Sequence, residues 1–510
     1  MFSLFGRSAL NRNEKNPVAS AVRQASAGPS SPRGRGRRLV TSFFIQFGLG
    51  LLHQGHVLDA ATVLRLRLDK DAGDPGLAAA AEVVEGERAV LSGSWRAPVA
   101  SAAAPRVPHK VLHIVGKSMP YVVAGYTVRT QSAVEALRDA GFAPEVVTRL
   151  GFPWDAGVAP QRPEERVNGI VHHHIGGATV PARWDDRLTA NVEALGPVVE
   201  AVRPGLLHAH SDFENALLAL ALRDRYGLPV VYELRGFWEE TWLAETPAHT
   251  PAADRYRWRH EREIAAVGAA DHAVTLAETM RVQLVEAGVA AEHVSIVPNA
   301  VDPDRFPRVE RDPVLAASLG IGPDEVTVGY VSSLSGYEGV GTLLRAVRRV
   351  AASGRNVRGI VVGDGDERES LERLARRLGL ADRVVFTGRV AHDLVLAYYS
   401  VIDVFVVPRT NDRVCHLVTP LKPFEAMSTG RAMVMSSVAA LREIAEASGA
   451  AATFPPEDDA ALAEVLEGLL DDPGRRGALA DAGASWVREH RTWAANAQRY
   501  RRVYAGLGVG

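Results

Sequence analysis

The sequence predicts an α/β protein of two doubly wound parallel sheets facing a cleft, preceded by a small α-helical hairpin module. Three observations predict it. Short apolar runs alternate with amphipathic helical stretches from residue 110 onward. That alternation pauses at a Pro- and Asp-rich connector and starts again. The chain of 510 residues is also too long for one hydrophobic core.

Residues 1–38 are rich in Ser, Arg, Gly, Asn and Pro and show no sustained apolar period, which reads as a disordered leader. Residues 39–92 read as two or three helices. In LLHQGHVLDAATVLRLRL, Leu51, Leu52, Val57, Leu58, Ala61, Val63, Leu64 and Leu66 fall near helical spacing around a Gly55 turn. This resembles one tetratricopeptide-type hairpin, and one unit does not make a solenoid. A linker, SWRAPVASAAAPRVPHK (94–110), follows, and the module with the linker's larger part is assigned to 39–106. Leu39–Leu52, behind Arg33, Arg35, Arg37 and Arg38, would reach about 21 Å as a helix, short of a hydrocarbon core of about 30 Å. A membrane span is therefore excluded, and the lack of a small-residue cleavage site argues against a signal peptide. With Phe43, Phe44 and Phe47, the basic stretch 33–52 is a candidate for peripheral membrane contact. The competing expectation is a helix packed on its neighbour.

The first α/β unit is expected over 107–300. Its strands are VLHIVG (111–116), EVVT (145–148), GIVHHHI (169–175), LLHAH (206–210), VVYEL (230–234) and HAVTLA (272–277). Helical stretches such as 128–141 and 214–227 lie between them and end at glycine. The connector PNAVDPDRFPRVERD leads to a second unit over 301–490, with strands at 326–333, 359–365, 384–388, 404–408 and 432–437. The tail is helical throughout, with a last helix over 491–510. Ligands of such sheets bind at the C-terminal strand edges, so the cleft between the two units is the expected site.

Composition narrows the function classes. Hydrophobic residues at 47% and charged residues at 23% are the balance of a soluble globular protein, and a net charge of -2 offers no overall field for nucleic acid. The single cysteine, Cys415, excludes an intrachain disulfide and a cysteine zinc cluster, and fits a reducing cytoplasm.

A nucleotide-sugar site needs N–H donors or cations for the diphosphate and a carboxylate for the ribose diol. The second unit offers these in order. Its first strand ends in a loop of small residues, YVSSLSGYEG, opening onto a helix. The second ends in GDGDERES, which is not a dinucleotide fingerprint. The third ends in Gly388, Arg389 and Val390, where backbone could meet a base edge. The fourth leads into RTNDRVCHLVTPLKPFEAM, which brings Arg409, Lys422 and Glu425 into one strand–loop–helix unit. Thr419 and Pro420 read there as N-cap and first helical position. Consecutive strand residues alternate faces, so His172, His173 and His174 do not converge on one metal ion. Adjacency of Cys415 and His416 is not the geometry of a nucleophile and its base.

Residues 110–506 resemble glycosyltransferase family 4, the large retaining GT-B family of two Rossmann-like domains, and within it the bacterial polysaccharide-assembly members. The likeness rests on Thr419–Met427 (TPLKPFEAM), the stretch 363–390, VPNAVDPDRF (297–306) and the RTW run at 491–493. The resemblance implies that Glu425 binds the ribose, Gly388–Val390 the base and the backbone of His416, Leu417, Val418 and Thr419 the diphosphate. It implies that Gly125, beside Tyr126, lets the backbone approach the donor phosphate, that His210 and Arg235 face sugar and acceptor, and that the last helix returns to the first domain. Three departures stand out. Leu417 occupies the first position of the family's E-x7-E. The first loop of the second unit carries Ser332, Ser333 and Glu338 instead of Arg and Lys. The strand end that often bears histidine reads Glu233-Leu234-Arg235.

The expected reaction is therefore retaining, hexosyltransferase-type transfer from a nucleotide sugar to a glycan or lipid-linked acceptor in cell-surface polysaccharide or glycoconjugate synthesis. Lys422 and Arg409 would stabilise the leaving group, with no metal and no cofactor. The alternatives are a non-catalytic donor-binding or scaffolding subunit and a GT-B epimerase. Sugar, nucleotide, acceptor and oligomeric state stay open.

Overall fold

The computed structural model describes residues 32–98, 106–160, 162–391 and 394–509. Three helices open it: α1 (Pro32–His53), α2 (Val57–Leu68) and α3 (Pro75–Leu91). Gly55, at φ 86°, turns the chain between α1 and α2. Asp74 caps α3 by accepting from the Leu77 N–H at 2.9 Å. The disordered leader expected over 1–38 is corrected at its end, because 32–38 are already helical. Proline suits a first helical position, and Ile45 and Leu52, further along the same helix, are buried. Residues 1–31 lie outside the described residues.

The module is not set apart by its linker. Val57, Leu64, Leu77, Val84 and Leu91 share one apolar core with Leu188, Val192 and Leu222 of the first α/β unit. Polar contacts reinforce the seam: Arg255 Nε donates to Glu87 at 2.8 Å, and the Leu58 N–H to Asp254 at 3.1 Å.

The first sheet contains β1 (Val107–Val115), β2 (Ala143–Thr148), β3 (Glu164–Val167), β4 (Ile170–His173), β5 (Pro204–His210), β6 (Val230–Glu233), β7 (His272–Thr275) and β8 (Val294–Ile296). Their order is β3-β4-β2-β1-β5-β6-β7-β8, parallel except for β3, which pairs antiparallel with β4 at the edge. The second sheet contains β9 (Val326–Val331), β10 (Val357–Val362), β11 (Val384–Gly388), β12 (Val404–Val407), β13 (Ala432–Ser436) and β14 (Ala451–Phe454). Its order, β11-β10-β9-β12-β13-β14, is all parallel. Every residue of β5, β12 and β13 is buried, as expected when helices cover both faces.

Three strands were not anticipated. β3 is a charged edge strand, β8 has three residues, and most of β14 is only partly covered, so none presents a sustained apolar run. After β8 the chain crosses to the second unit, and at Arg491 it crosses back, where the Arg491 carbonyl accepts from the Val301 N–H at 2.9 Å. The last helix, Trp493–Gly506, then packs Tyr500, Val503 and Tyr504 against Val111, Ala133 and Leu137 of the first domain.

Candidate functional site

In each sheet the strand order reverses beside the first strand, between β1 and β5 and between β9 and β12. Helices leave on opposite faces there, which opens a crevice at the C-terminal edges. The two crevices meet. A Cβ placed on Gly125 would lie 3.5 Å from Leu421, and one on Gly236 would lie 3.6 Å from Val418. Gly125 opens the helix Gly125–Asp139 and is exposed, as is Tyr126.

On the second domain, β9 delivers Ser332 and Ser333, followed by a short turn that buries Glu338. Gly339, at φ 69°, lets that turn pass the end of β12, where a Cβ would meet the Pro408 carbonyl oxygen at 2.0 Å. The close approach joins Glu338 to Arg409, with Arg409 Nη2 donating to Oε1 at 2.9 Å. Both side chains are buried. Burial opposes the Arg409 charge, but Glu338 outweighs it and raises the guanidinium pKa.

Arg409 is thus neutralised, and its Nη1 donates to the Val418 carbonyl at 2.7 Å. Because a peptide is planar and trans, that bond turns the Thr419 N–H the opposite way. Asn299, on the connector between the domains, donates to the Thr419 carbonyl at 2.8 Å. The Val418 N–H is taken by Val414, while the N–H groups of Thr419, Leu421 and Lys422 have no partner among the described residues. His416 is engaged elsewhere: Nδ1 accepts from the Ala439 N–H at 3.2 Å, and Nε2 contacts Asn411 at 2.9 Å. Leu417 is buried and joins the apolar core of the first domain.

The expected cap is corrected. The helix begins at Lys422, with Leu421 as N-cap and Pro423 in its first turn, so Thr419 and Pro420 lie in the loop before it. Pro420 disfavours the helical region at Thr419, and Pro423, which has no N–H to satisfy, suits the first turn of a helix that starts later. Lys422 Nζ reaches Glu425 at 3.0 Å, and Tyr399 donates to the same carboxylate oxygen at 2.8 Å. No hydrogen bond to the other Glu425 oxygen is made among the described residues. Gly388, at φ 72°, ends β11 with Arg389 exposed and Val390 half-buried.

On the first domain, His210 and Arg235 turn to internal partners. Nε2 of His210 shares a hydrogen bond with His113 at 2.9 Å, and its Nδ1 meets Arg235. Arg235 also donates to Glu233, to Thr130 at 2.7 Å and to the Tyr126 carbonyl at 3.0 Å. Glu233 is the hub, fully buried and also bonded by Arg129 at 3.0 Å and by Tyr500. Burial works against its carboxylate, but Arg129, Arg235 and the neighbouring histidines outweigh that and hold its pKa well below the usual range. The polar side chains that keep some surface at this edge include Tyr126, Arg149 and Asp212. Arg149 pairs with Glu214 and, at 3.4 Å, with Asp212.

Two histidine groups bear on metal binding. His172 meets Gln131 at 3.1 Å, His173 meets Glu145 at 2.7 Å and His174 meets Thr148 at 3.3 Å, so the three rings have separate partners. A second set escaped the sequence reading: ring nitrogens of His113, His208 and His210 lie within 4.8 Å of one another. The register places His113 opposite His208, with His210 two residues on. His210 stacks on His113 and on His208 with planes 21° and 17° apart, and His113 and His208 are tilted by 36°. Burial, the first cause for each, lowers all three pKa values. Cys415 donates to the Tyr337 carbonyl at 3.3 Å, and burial pushes its thiol up to about 11, away from thiolate chemistry.

Sequence reasoning missed Asn299, Arg129, Tyr399 and Arg149 as members of the site. The VPNAVD motif was a signal for Asn299. The others lie inside helices or at a strand end, with nothing local to mark them.

Comparison with known proteins follows the same division. Residues 123–305 match the family described as Glycosyltransferase Family 4, and residues 325–472 match Glycosyl transferases group 1. A D-inositol 3-phosphate glycosyltransferase of Thermomonospora curvata is 30% identical over 322 residues, covering 59% of this chain and 71% of that protein. A 2-deoxystreptamine glucosyltransferase of Streptomyces kanamyceticus is 31% identical over 222 residues, or 42% of this chain, which spans only 55% of that relative. Among solved structures, Anabaena HepE in complex with UDP-glucose superposes with a TM-score of 0.61 at 17% identity, covering 78% of this chain and 99% of that one.

Proposed function

Since the chain belongs to the family 4 glycosyltransferases, with the GT-B architecture of two facing doubly wound domains, we propose that it transfers a hexosyl group from a nucleoside-diphosphate sugar with retention. The supporting observation is the convergence of unpartnered groups at the second switch point. The Thr419, Leu421 and Lys422 N–H groups suit a diphosphate, and the open oxygen of Glu425 suits a ribose diol. Gly388–Val390 takes the base, Ser332 and Ser333 line the phosphate side, and Gly125 and Tyr126 close over the donor from the first domain.

In this reading the acceptor hydroxyl attacks the anomeric carbon from the face the leaving group departs. The bond from that carbon to the phosphate oxygen breaks, and the hydroxyl proton passes to the leaving oxygen. Lys422 reaches the diphosphate by leaving Glu425, so cation and N–H groups neutralise the leaving group without a metal. Arg409 contributes by aiming the Thr419 N–H. His210 and Arg235 hold the first-domain edge in shape, and Tyr126, Arg149 and Asp212 offer polar contacts to acceptor hydroxyls. The acceptors in the names of the two relatives, D-inositol 3-phosphate and 2-deoxystreptamine, are polyhydroxylated rings. A glycan or lipid-linked acceptor on the cytoplasmic side of a membrane carries the same groups.

A second reading, a non-catalytic donor-binding subunit, draws on the neutralisation of Arg409 by Glu338 and on Leu417 in the E-x7-E position. Thermal melting with a panel of nucleoside diphosphates tests the donor site. Saturation near 100 times Kd adds about 2.7 kcal/mol, and the shift should vanish in Glu425→Ala. No shift with any nucleotide overturns the proposal. A shift without transfer or donor hydrolysis selects the second reading.

A further inference from the structure

We propose that α1 docks on an anionic lipid bilayer through Phe43 and Phe47, held there by the arginines at its N-terminal end. α1 is the outer helix of the module. It packs on α2 and α3, which in turn make the contacts with the first domain. Ile45 and Leu52 of α1 are buried, whereas Val40, Phe43 and Phe47 are 44%, 60% and 47% exposed. Spacings of three and four residues place these three on one stripe of the helix. The two phenylalanine rings stack in the open, centroids 6.0 Å apart and planes 3° apart. A cluster of large apolar groups held out to solvent marks an interaction surface.

Charge distribution identifies what covers it. Residues 1–58 contain eight Lys or Arg and one Asp or Glu, a net charge of +7, while the whole chain is -2, which leaves -9 for the rest. Four of those arginines, Arg33, Arg35, Arg37 and Arg38, occupy the first turns of α1, directly before the apolar stripe. Basic charge leading into exposed aromatics is the pattern of a helix lying in the headgroup layer of anionic lipid. No described helix is long and apolar enough to cross a membrane. A second copy docking through the same helix would set like charge against like charge. An acidic protein surface would match the arginines but leave the aromatics against polar groups.

The placement also has a use. The turn that follows α1 reaches the first-domain helix Trp238–Ala244, where a Cβ on Gly55 would meet Trp242 at 2.7 Å. That helix borders the cleft, because its Glu240 pairs with Arg413 of the second domain at 2.7 Å. A bilayer gripping α1 therefore lies on the side from which a lipid-linked acceptor would enter. This use rests on the lipid-linked acceptor reading, whereas the docking does not.

The test is sedimentation of the full chain with phosphatidylcholine vesicles, with and without phosphatidylglycerol. Binding should require phosphatidylglycerol and weaken with added salt. It should fall roughly ten-fold or more in Phe43→Glu/Phe47→Glu and in Arg37→Glu/Arg38→Glu. The nucleoside-diphosphate melting shift should be unchanged in both variants, which separates this outcome from the donor-site proposal. Equal binding by the phenylalanine variant, or no binding to either vesicle, overturns the assignment. So does a concentration-dependent dimer that the same variant abolishes.

Discussion

At the scale of single residues, the groups that shape the site differ from those expected to touch the donor. Arg409 of the second domain and Asn299 of the connector grip the carbonyls of Val418 and Thr419. Loss of one such buried bond is worth about 1 kcal/mol, roughly five-fold in an equilibrium. Asn299→Ala should therefore weaken nucleoside-diphosphate binding by about that factor, read by calorimetry. Asn299→Asp keeps an acceptor for Arg129 but loses the donor to Thr419, so it should be as weak as the alanine variant. Wild-type affinity in the aspartate variant would sink the role given to that bond. Glu263, bonded to the Phe213 N–H and to Tyr232, is a second buried carboxyl, and burial raises its pKa from 4.5 to about 8. The folded chain keeps a proton there that the unfolded chain releases, so stability falls as pH rises between those values. Glu263→Gln should raise Tm at pH 8 by a few degrees and change it little near pH 4.5.

At the scale of elements, one turn and one stack carry the design. Gly339 adopts a left-handed conformation that costs other residues about 1–2 kcal/mol, and a Cβ there would strike the Pro408 carbonyl. Gly339→Ala should lower Tm by several degrees and weaken nucleotide binding, since the Glu338–Arg409 pair depends on that approach. A melting curve beside a binding isotherm checks both, and an unchanged isotherm would show that Arg409 orients without the turn. The His113, His208 and His210 stack acts in the opposite sense to Glu263. Its folded-state pKa values are lowered, so below the ordinary 6.5 the unfolded chain takes up protons that the stack refuses. Stability should fall as the pH drops below 6.5, and His113→Gln should shallow that acid limb in pH-dependent melting.

At the scale of the whole molecule, polar contacts hold the two domains together. Glu443 of the second domain accepts from the Glu278 and Thr279 N–H groups at 3.0 Å each, so a carboxylate from one domain caps a helix of the other. Arg413 and Glu240 form a second tie. The cap also flanks a surface groove lined by Gln283, His416 and Arg442. Glu443→Ala should loosen closure, raising the donor KM several-fold while leaving the melting of each domain nearly unchanged. An increased radius of gyration in solution scattering, reversed by saturating donor, is the expected companion result. A tighter donor KM in this variant would mean that the tie restrains closure instead of supporting it.

The sequence by itself determined the architecture, because its signals are local. Continuous apolar runs such as 204–210 and 404–407 mark strands buried on both faces, and glycine-ended helices between them imply parallel sheets. It also located the carboxylate Glu425 and the strand ends that border the cleft. The charged edge strand β3 and the short β8 and β14 stayed hidden, since pairing partners, not periodicity, make them strands. Only the tertiary structure decided which charges remain open to a ligand. Glu338 lies 71 residues from Arg409 in the chain, and Glu233 lies 104 from Arg129, yet each pair is buried and mutually neutralised. Coulomb energy depends on distance through space and on the surrounding dielectric, and neither can be read along the chain.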